Sequence, residues 1–216
     1  MEFIFYTEDN VQIRHDIYET HEQNLVKEYI KEDDIVLELG ARYGTVSCLI
    51  NSILKDKKKQ VVVEPDKRVW DALQNNKEIN NCEFNIVRGF ISNKKLSLDR
   101  TEHICQGNLE LKGYGSTFII DNNSTIDCYT LEELENNLNM IFNTLVIDCE
   151  GFFMNFLMEN KKIFVNQIKK IIIEEDYKEK CDYDKINIFL KEQKFECIKF
   201  ITDEKNPKIS YRVWVK

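Results

Sequence analysis

Little in this chain interrupts a regular backbone: seven glycines and two prolines in 216 residues exclude collagen-like and low-complexity architectures and leave no Pro/Ser linker. The seven cysteines are odd in number and scattered, with no C-x-x-C. Neither a disulfide framework nor a zinc ribbon is suggested, and reduced thiols are expected. Positive charge is also short. Lys and Arg total 30 against 38 Asp and Glu, a net charge of −8, the wrong sign for gripping polyphosphate backbones by charge, and no basic stripe carries interleaved aromatics. Nucleic acid is therefore not the expected partner. No stretch approaches the roughly 18 apolar residues of a membrane span, and the opening MEFIFYTEDN lacks the basic-then-apolar order of a leader. The expectation is a soluble, unprocessed cytoplasmic protein with no membrane partner. With 43% hydrophobic positions the chain can bury one sizeable core, so residues 1–216 are read as a single domain.

What the chain does have is a rhythm. Short β-branched runs alternate with helical stretches, the pattern of a mostly parallel sheet covered by helices on both faces. Residues 34–39, 60–65, 83–89, 144–148 and 168–175 read as strands, and 195–201 with 210–216 as a terminal antiparallel hairpin, giving about seven strands. Helical spacing groups Leu25, Val26, Tyr29 and Ile30; Val69, Leu73 and Ile79; and Leu131, Leu134, Leu138 and Ile141, and residues 183–193 lead as a helix into the hairpin. The fold class is α/β and Rossmann-like. Residues 1–33 precede the sheet as a cover, and 90–130 form an insert without a crossover helix, punctuated by Gly and Asn like a hairpin or lid. The run KDKKK at 55–59 reads as a solvated connection.

The first strand runs into ELGARYGTVS. Gly40 suits a tight turn where a side chain would block a ligand, and Gly44 suits close approach of a helix starting near Thr45 with its unpaired N–H groups exposed. Neither G-x-G-x-x-G nor a Walker lysine is present, which weighs against NAD and ATP. A ligand with a ribose and a small anionic end but no phosphates remains, and that describes S-adenosylmethionine. Glu64 closes the second strand 24 residues after Gly40, where an acid in such folds accepts from both ribose hydroxyls, and Pro65 stops the strand behind it. The candidate cofactor residues are Glu38, Gly40, Ala41, Tyr43, Gly44, Thr45, Glu64, Pro65, Gly89, Phe90, Ile91 and Asp148, with Phe90 or Ile91 against the adenine. The plainer alternatives are an ordinary strand-to-helix turn, a solvated Glu64 and a Phe90 that is simply core.

VLELGARYGTVS, the acid in VVVEPD, RGFISN, GYGST, TIDCYTLEEL and above all LVIDCEGFFMNFL together resemble the FkbM-type methyltransferases, whose characteristic run is a strand ending in Asp-x-Glu-Gly. The resemblance spans roughly 34–176. It implies a class I S-adenosylmethionine-dependent methyltransferase, in most members an O-methyltransferase acting on a hydroxyl of a sugar, a glycan or a glycosylated or polyketide product. Arg42 and Tyr43 stand where members commonly carry a small polar residue, and RGFIS departs from the usual element after the third strand.

Asp148 falls at the end of the fourth strand, on the edge where open α/β sheets bind ligands. A sugar hydroxyl needs a group to accept its proton as the carbon–oxygen bond forms, and Asp148 and Glu150 are the catalytic candidates. The alternative role of Asp148 is to cap the helix expected from about Phe152, with Gly151 easing the turn. Glu174, Glu175 and Asp176 end the fifth strand on the same edge. With Asp148 and Glu150 they supply the hard oxygens a divalent metal takes, but no His stands beside them and a metal is not favoured. His103 in the insert, His15 and His21 in the cover, and Tyr114, Ser116 and Thr117 are secondary candidates for acceptor contacts, against surface or turn roles. Cys149 is read as a small buried hydrophobe rather than a nucleophile. Two rival functions remain: a non-catalytic partner subunit with a degenerate methyltransferase fold, and a nicotinamide-dependent oxidoreductase.

Overall fold

The structure is a computed structural model describing residues 3–104 and 112–216, with the side chains of 100–104 and 112–116 outside that description. A two-strand antiparallel hairpin, β1 (Phe5–Tyr6) and β2 (Gln12–Ile13), precedes α1 (Thr20–Tyr29). Then β3 (Val36–Leu39), α2 (Thr45–Ile53), β4 (Gln60–Glu64), α3 (Trp70–Ile79) and β5 (Asn85–Arg88) alternate. Next come β6 (Phe90–Ile91), β7 (Leu96–Ile104), β8 (Lys112–Ile120) and β9 (Cys128–Tyr129). The chain continues through α4 (Leu131–Leu138), β10 (Thr144–Ile147), α5 (Phe153–Glu159) and α6 (Lys161–Asn166). It closes with β11 (Lys170–Glu175), α7 (Tyr183–Glu192), β12 (Glu196–Thr202) and β13 (Ser210–Val215).

Seven strands form one sheet in the order β12-β13-β11-β10-β3-β4-β5. All neighbours pair in parallel except β13, which runs antiparallel to both β11 and β12. Every residue of β3, β4 and β10 is buried, which is why these runs read as continuously apolar rather than alternating. On one face Leu37, Leu39, Val61, Val63, Leu145 and Ile147 pack against α4, α5 and α7. On the other, Val36, Val146 and Ile172 meet Leu25 and Val26 of α1 and Ile50 of α2, while Val62 meets Leu73 and Phe84. The connections leave β3 and β10 toward opposite sides, so a crevice opens at the carboxyl ends of these two neighbours. Among the described residues no helix is long and apolar enough to cross a membrane.

All seven expected strands form, with ends displaced by up to two residues. The differences lie elsewhere. Ile79, expected on the buried face of α3, is 40% exposed at the helix's last turn, and Ile141 is 60% exposed. Asn139 takes a left-handed φ of 51° at the end of α4, so the helical phase that would have turned Ile141 inward is already lost. The insert does contain a hairpin, but Gly113 and Gly115 lie inside β8, paired with β7, instead of marking a turn. A two-strand ribbon outside the main sheet tolerates glycines that a central strand does not. The short β6 and β9 pair in parallel and close the base of the insert. Lys55, Lys58 and Lys59 are exposed, as a solvated connection requires.

Candidate active site

The turn after β3 is set by the neighbouring strand. Gly40 has φ 91°, and a β-carbon there would overlap the backbone carbonyl of Asp148 at the end of β10. What a side chain would strike first is thus this carbonyl, not a ligand. Gly44, the N-cap of α2 at φ 78°, would bring a β-carbon to 2.8 Å from Leu73 Cδ1, so the close approach is to α3. Arg42 between them holds a left-handed φ of 42°. Its guanidinium lies 5.0 Å from the centre of the Tyr43 ring. Burial opposes its charge, but Tyr18, Tyr43 and Glu19 outweigh that and keep it protonated.

Glu64 ends β4 with only 6% of its surface exposed. One carboxylate oxygen accepts the backbone N–H of Arg42 at 2.7 Å and the other that of Asp66, also at 2.7 Å. Each oxygen keeps a further lone pair. Burial is the main reason its pKa is pushed up to about 7. The backbone carbonyl of Glu64 accepts the Trp70 indole N–H at 2.8 Å, which fixes the strand end against α3. Glu64 and Pro65 line a cavity with Leu39, Gly40, Arg42, Val63, Asp66 and Val69. Its apolar wall is Phe90, Ile91, Leu98, Phe118 and Phe152. The Phe118 and Phe152 rings meet edge to face at 5.0 Å, and Phe90 lies 5.7 Å from Phe152. Leu98 and Phe118 are a cross-strand pair of the β7–β8 hairpin, so the insert forms one side of the cavity. Lys180, in the loop after β11, donates to the Thr117 hydroxyl and lies 3.9 Å from the Asp99 carboxylate, tethering that hairpin.

Asp148, Cys149 and Glu150 line the opposite end of the same cavity. Glu150 has φ 51° and Gly151 φ 83°, a reversal that sends the chain into α5. That helix begins at Phe153 with Phe152 as its N-cap and no side-chain cap bond, so the capping alternative for Asp148 finds no support. Burial, then Glu174, Glu22 and Asp176, raise the Asp148 carboxyl well above the ordinary carboxylate range. Burial likewise pushes Glu174 to about 7 and Asp176 to about 9. One oxygen each from Asp148, Glu174 and Asp176 lie within 4.8 Å of one another, donors of the kind a hard cation takes. The Cys149 thiol is pushed well up by burial, the behaviour of a packed thiol rather than a nucleophile.

Several expected residues do not line the cavity. Glu38 is buried behind the turn, where its two oxygens accept from Ser47 Oγ at 2.8 Å and Gln60 Nε2 at 3.1 Å, and burial raises it to about 8. The Tyr43 hydroxyl donates to Glu8 at 2.6 Å and the Thr45 hydroxyl to Glu19. Ala41 is buried in the core formed by β1, α2 and α3. A β-carbon on Gly89 would overlap the Asp127 carbonyl, so that glycine serves the β6–β9 contact. Glu175 pairs with Arg212 at 2.7 Å and accepts from Ser210 at 3.0 Å, away from the cavity. His15 packs on Phe3 and Phe5, while the His21 ring lies 5.2 Å from Tyr211. The side chains of His103, Tyr114 and Ser116 lie outside the described residues. Sequence reasoning missed the aromatic pair Phe118 and Phe152, and Asp66, all of which line the cavity.

With this geometry established, the solved structures it resembles are informative. The precorrin-6y C5,15-methyltransferase of Geobacter metallireducens superposes with a TM-score of 0.57 at 10% identity, over 98% of this chain and 93% of that one. Fibrillarin of Aeropyrum pernix, solved with S-adenosyl-L-methionine bound, gives 0.57 at 14% over 99% and 82%. An O-methyltransferase of Bacillus cereus, solved with S-adenosylhomocysteine, gives 0.52 at 13% over 94% and 84%. The fold is that of the S-adenosylmethionine-dependent methyltransferases, with its mostly parallel seven-strand sheet and reversed penultimate strand. No protein-family model matches the sequence, and no curated protein sequence does.

Proposed function

We propose that this chain is an S-adenosylmethionine-dependent O-methyltransferase whose acceptor is a hydroxyl of a sugar, glycan or glycosylated small molecule. The single observation that carries the cofactor reading is Glu64, a buried carboxylate at the end of β4. It is held by two backbone N–H groups and retains a lone pair on each oxygen toward an apolar, aromatic-walled cavity. A ribose with two vicinal hydroxyls fits that carboxylate, and a flat base fits between Val63, Ile91, Phe90 and Phe118. A pyrophosphate finds no glycine-rich third turn here. The strand order, with antiparallel β13 between β11 and β12, also departs from the dinucleotide-binding arrangement.

Bound there, S-adenosylmethionine supplies an activated methyl group. The chain's own task is to present an acceptor oxygen in line and to remove its proton. Asp148, whose proton affinity is raised by burial and by neighbouring carboxylates, takes that proton as the oxygen bonds to the methyl carbon and sulfur keeps the electron pair of the broken bond. Glu150 orients the acceptor. The Asp-Cys-Glu-Gly element and its FkbM resemblance support a hydroxyl as the acceptor.

Calorimetry with S-adenosylhomocysteine tests the reading. Micromolar binding is expected, with Glu64→Ala weakening it about 100-fold, as removal of two charge-assisted hydrogen bonds implies. Equal affinity in wild type and variant removes the assignment.

A further inference from the structure

The core layer formed by β1, α2 and α3 holds two free cysteines side by side. Cys48, on α2, is fully buried, while Cys82, in the turn between α3 and β5, is half-buried and packs against the same cluster. Neither lines the cavity. Local geometry sets the pair. Gly44, Cys48 and Asn51 follow one another at helical spacing along one face of α2, and the chain after α3 runs along that face. Asn51 Oδ1 accepts the Glu83 backbone N–H at 3.0 Å, and a β-carbon on Gly44 would lie 3.9 Å from the Phe84 ring. Asn81 turns left-handed at φ 53°, and the Cys82 backbone N–H then bonds the Lys77 carbonyl at 2.9 Å, which fixes the turn. There the Cys48 thiol donates to the Cys82 sulfur, and the Cys82 thiol donates to the Asn80 carbonyl at 3.6 Å.

Two cations stand beside this pair. Asn51 Nδ2 donates to the Lys57 carbonyl at 2.7 Å, which brings the lysine run back to the Cys82 turn, and the Lys77 ammonium lies 5.6 Å from the centre of the Phe84 ring. The hydrogen bond from Cys48 lowers the Cys82 pKa, burial opposes it, and Lys57 and Lys77 add to the lowering. Burial moves the thiols of Cys128, Cys149 and Cys181 the other way.

We propose that Cys48 and Cys82 form a redox-modification site: hydrogen peroxide oxidises Cys82, and Cys48 resolves it to an intramolecular disulfide that ties α2 to the turn after α3. The Cys82 thiolate attacks one peroxide oxygen and the O–O bond breaks, giving a sulfenic acid and a hydroxide that takes the Cys48 proton. The Cys48 sulfur then attacks the sulfenic sulfur. The S–S bond forms as the S–O bond breaks, and the departing hydroxide is protonated from solvent. Two electrons pass from the sulfurs to the peroxide, which leaves as two waters. The closed loop contains β4 and α3, so oxidation restrains the unfolded chain and stabilises the fold around the strand that carries Glu64. The site does not depend on the cofactor assignment.

The test treats the full chain, reduced and then freed of reductant, with a slight excess of hydrogen peroxide and maps its peptides by mass spectrometry under non-reducing conditions. A Cys48–Cys82 linkage is expected, released by dithiothreitol and formed at least tenfold faster than the exposed Cys197 is oxidised. Cys48→Ser should leave a sulfenic acid at Cys82 that dimedone traps, whereas Cys82→Ser should leave Cys48 unmodified. The oxidised wild type should melt roughly 5 °C or more above the reduced form. Melting curves establish that each variant is folded, and the wild-type map decides the question if one is not. Oxidation of Cys197 ahead of Cys82, a different linkage, dimedone on Cys48 instead of Cys82, or an oxidised form that melts no higher each overturns the proposal.

Discussion

Glu64 and the acidic cluster beyond Asp148 are built on opposite principles. At Glu64 a single carboxylate has both oxygens held by backbone N–H groups and is set in a wall of aliphatic and aromatic side chains. Its polar demands are largely met before anything binds. Beyond Asp148, one carboxylate oxygen each of Asp148, Glu174 and Asp176 come within 4.8 Å of one another, each acid pushed toward its neutral form by burial and by neighbouring acids. The first offers a shaped apolar wall and two preset acceptors. The second stores electrostatic strain that a ligand's charge or a proton must relieve. Cofactor affinity and turnover should therefore separate cleanly under mutation.

The sharpest break of that comparison is Asp148→Asn. It keeps the shape and removes the proton acceptor, so kcat should fall by about 1,000-fold, within the range general-base removal produces. S-adenosylhomocysteine binding should change less than threefold. A variant that loses cofactor affinity as steeply as turnover would merge the two ends.

A middle-sized effect concerns pH. Glu38 and Glu64 have folded-state pKa values raised from the ordinary 4.5 to about 8 and about 7. The stability contributed by their neutral forms is therefore complete below the unfolded value and lost as pH climbs through 7 to 8. The melting temperature of the empty protein should drop by roughly 5 °C or more between about pH 5 and pH 8.5. Calorimetric scans across that window check it, and a flat or rising profile contradicts it.

The smallest effect is expected at the hairpin. Lys180→Met removes the tether to buried Thr117 and to Asp99, whose side chain is 54% exposed. Only about a threefold rise in KM is anticipated, with kcat unchanged, because exposed ion pairs contribute little.

How much of this was legible in the residues follows from burial. Parallel strands covered on both faces must be continuous β-branched runs, so β3, β4, β10 and β11 announce themselves, and the acids that close them, Glu64 and Asp148, are found by position alone. Glu38 was visible as an acid but not as a structural one. The signal was present in Ser47, Asn51 and Gln60, polar residues in otherwise apolar windows, which meet behind the turn as a buried hydrogen-bonded network. Glu22 was not legible. In THEQNLVKEYI it looks like any solvent-facing helix residue, and only the packing of α1 against α2, β11 and β13 encloses it. Phe118 was equally hidden, because nothing in the insert's sequence pairs it with Leu98 across the hairpin.

One feature of the backbone joins the two ends. Since the Asp148 carbonyl occupies the volume a methyl group on Gly40 would need, the loop after β3 and the peptide of Asp148 are in van der Waals register, with no compressible side chain between them. Displacing either one pushes directly on the other, so filling one compartment necessarily adjusts the aim of its neighbour.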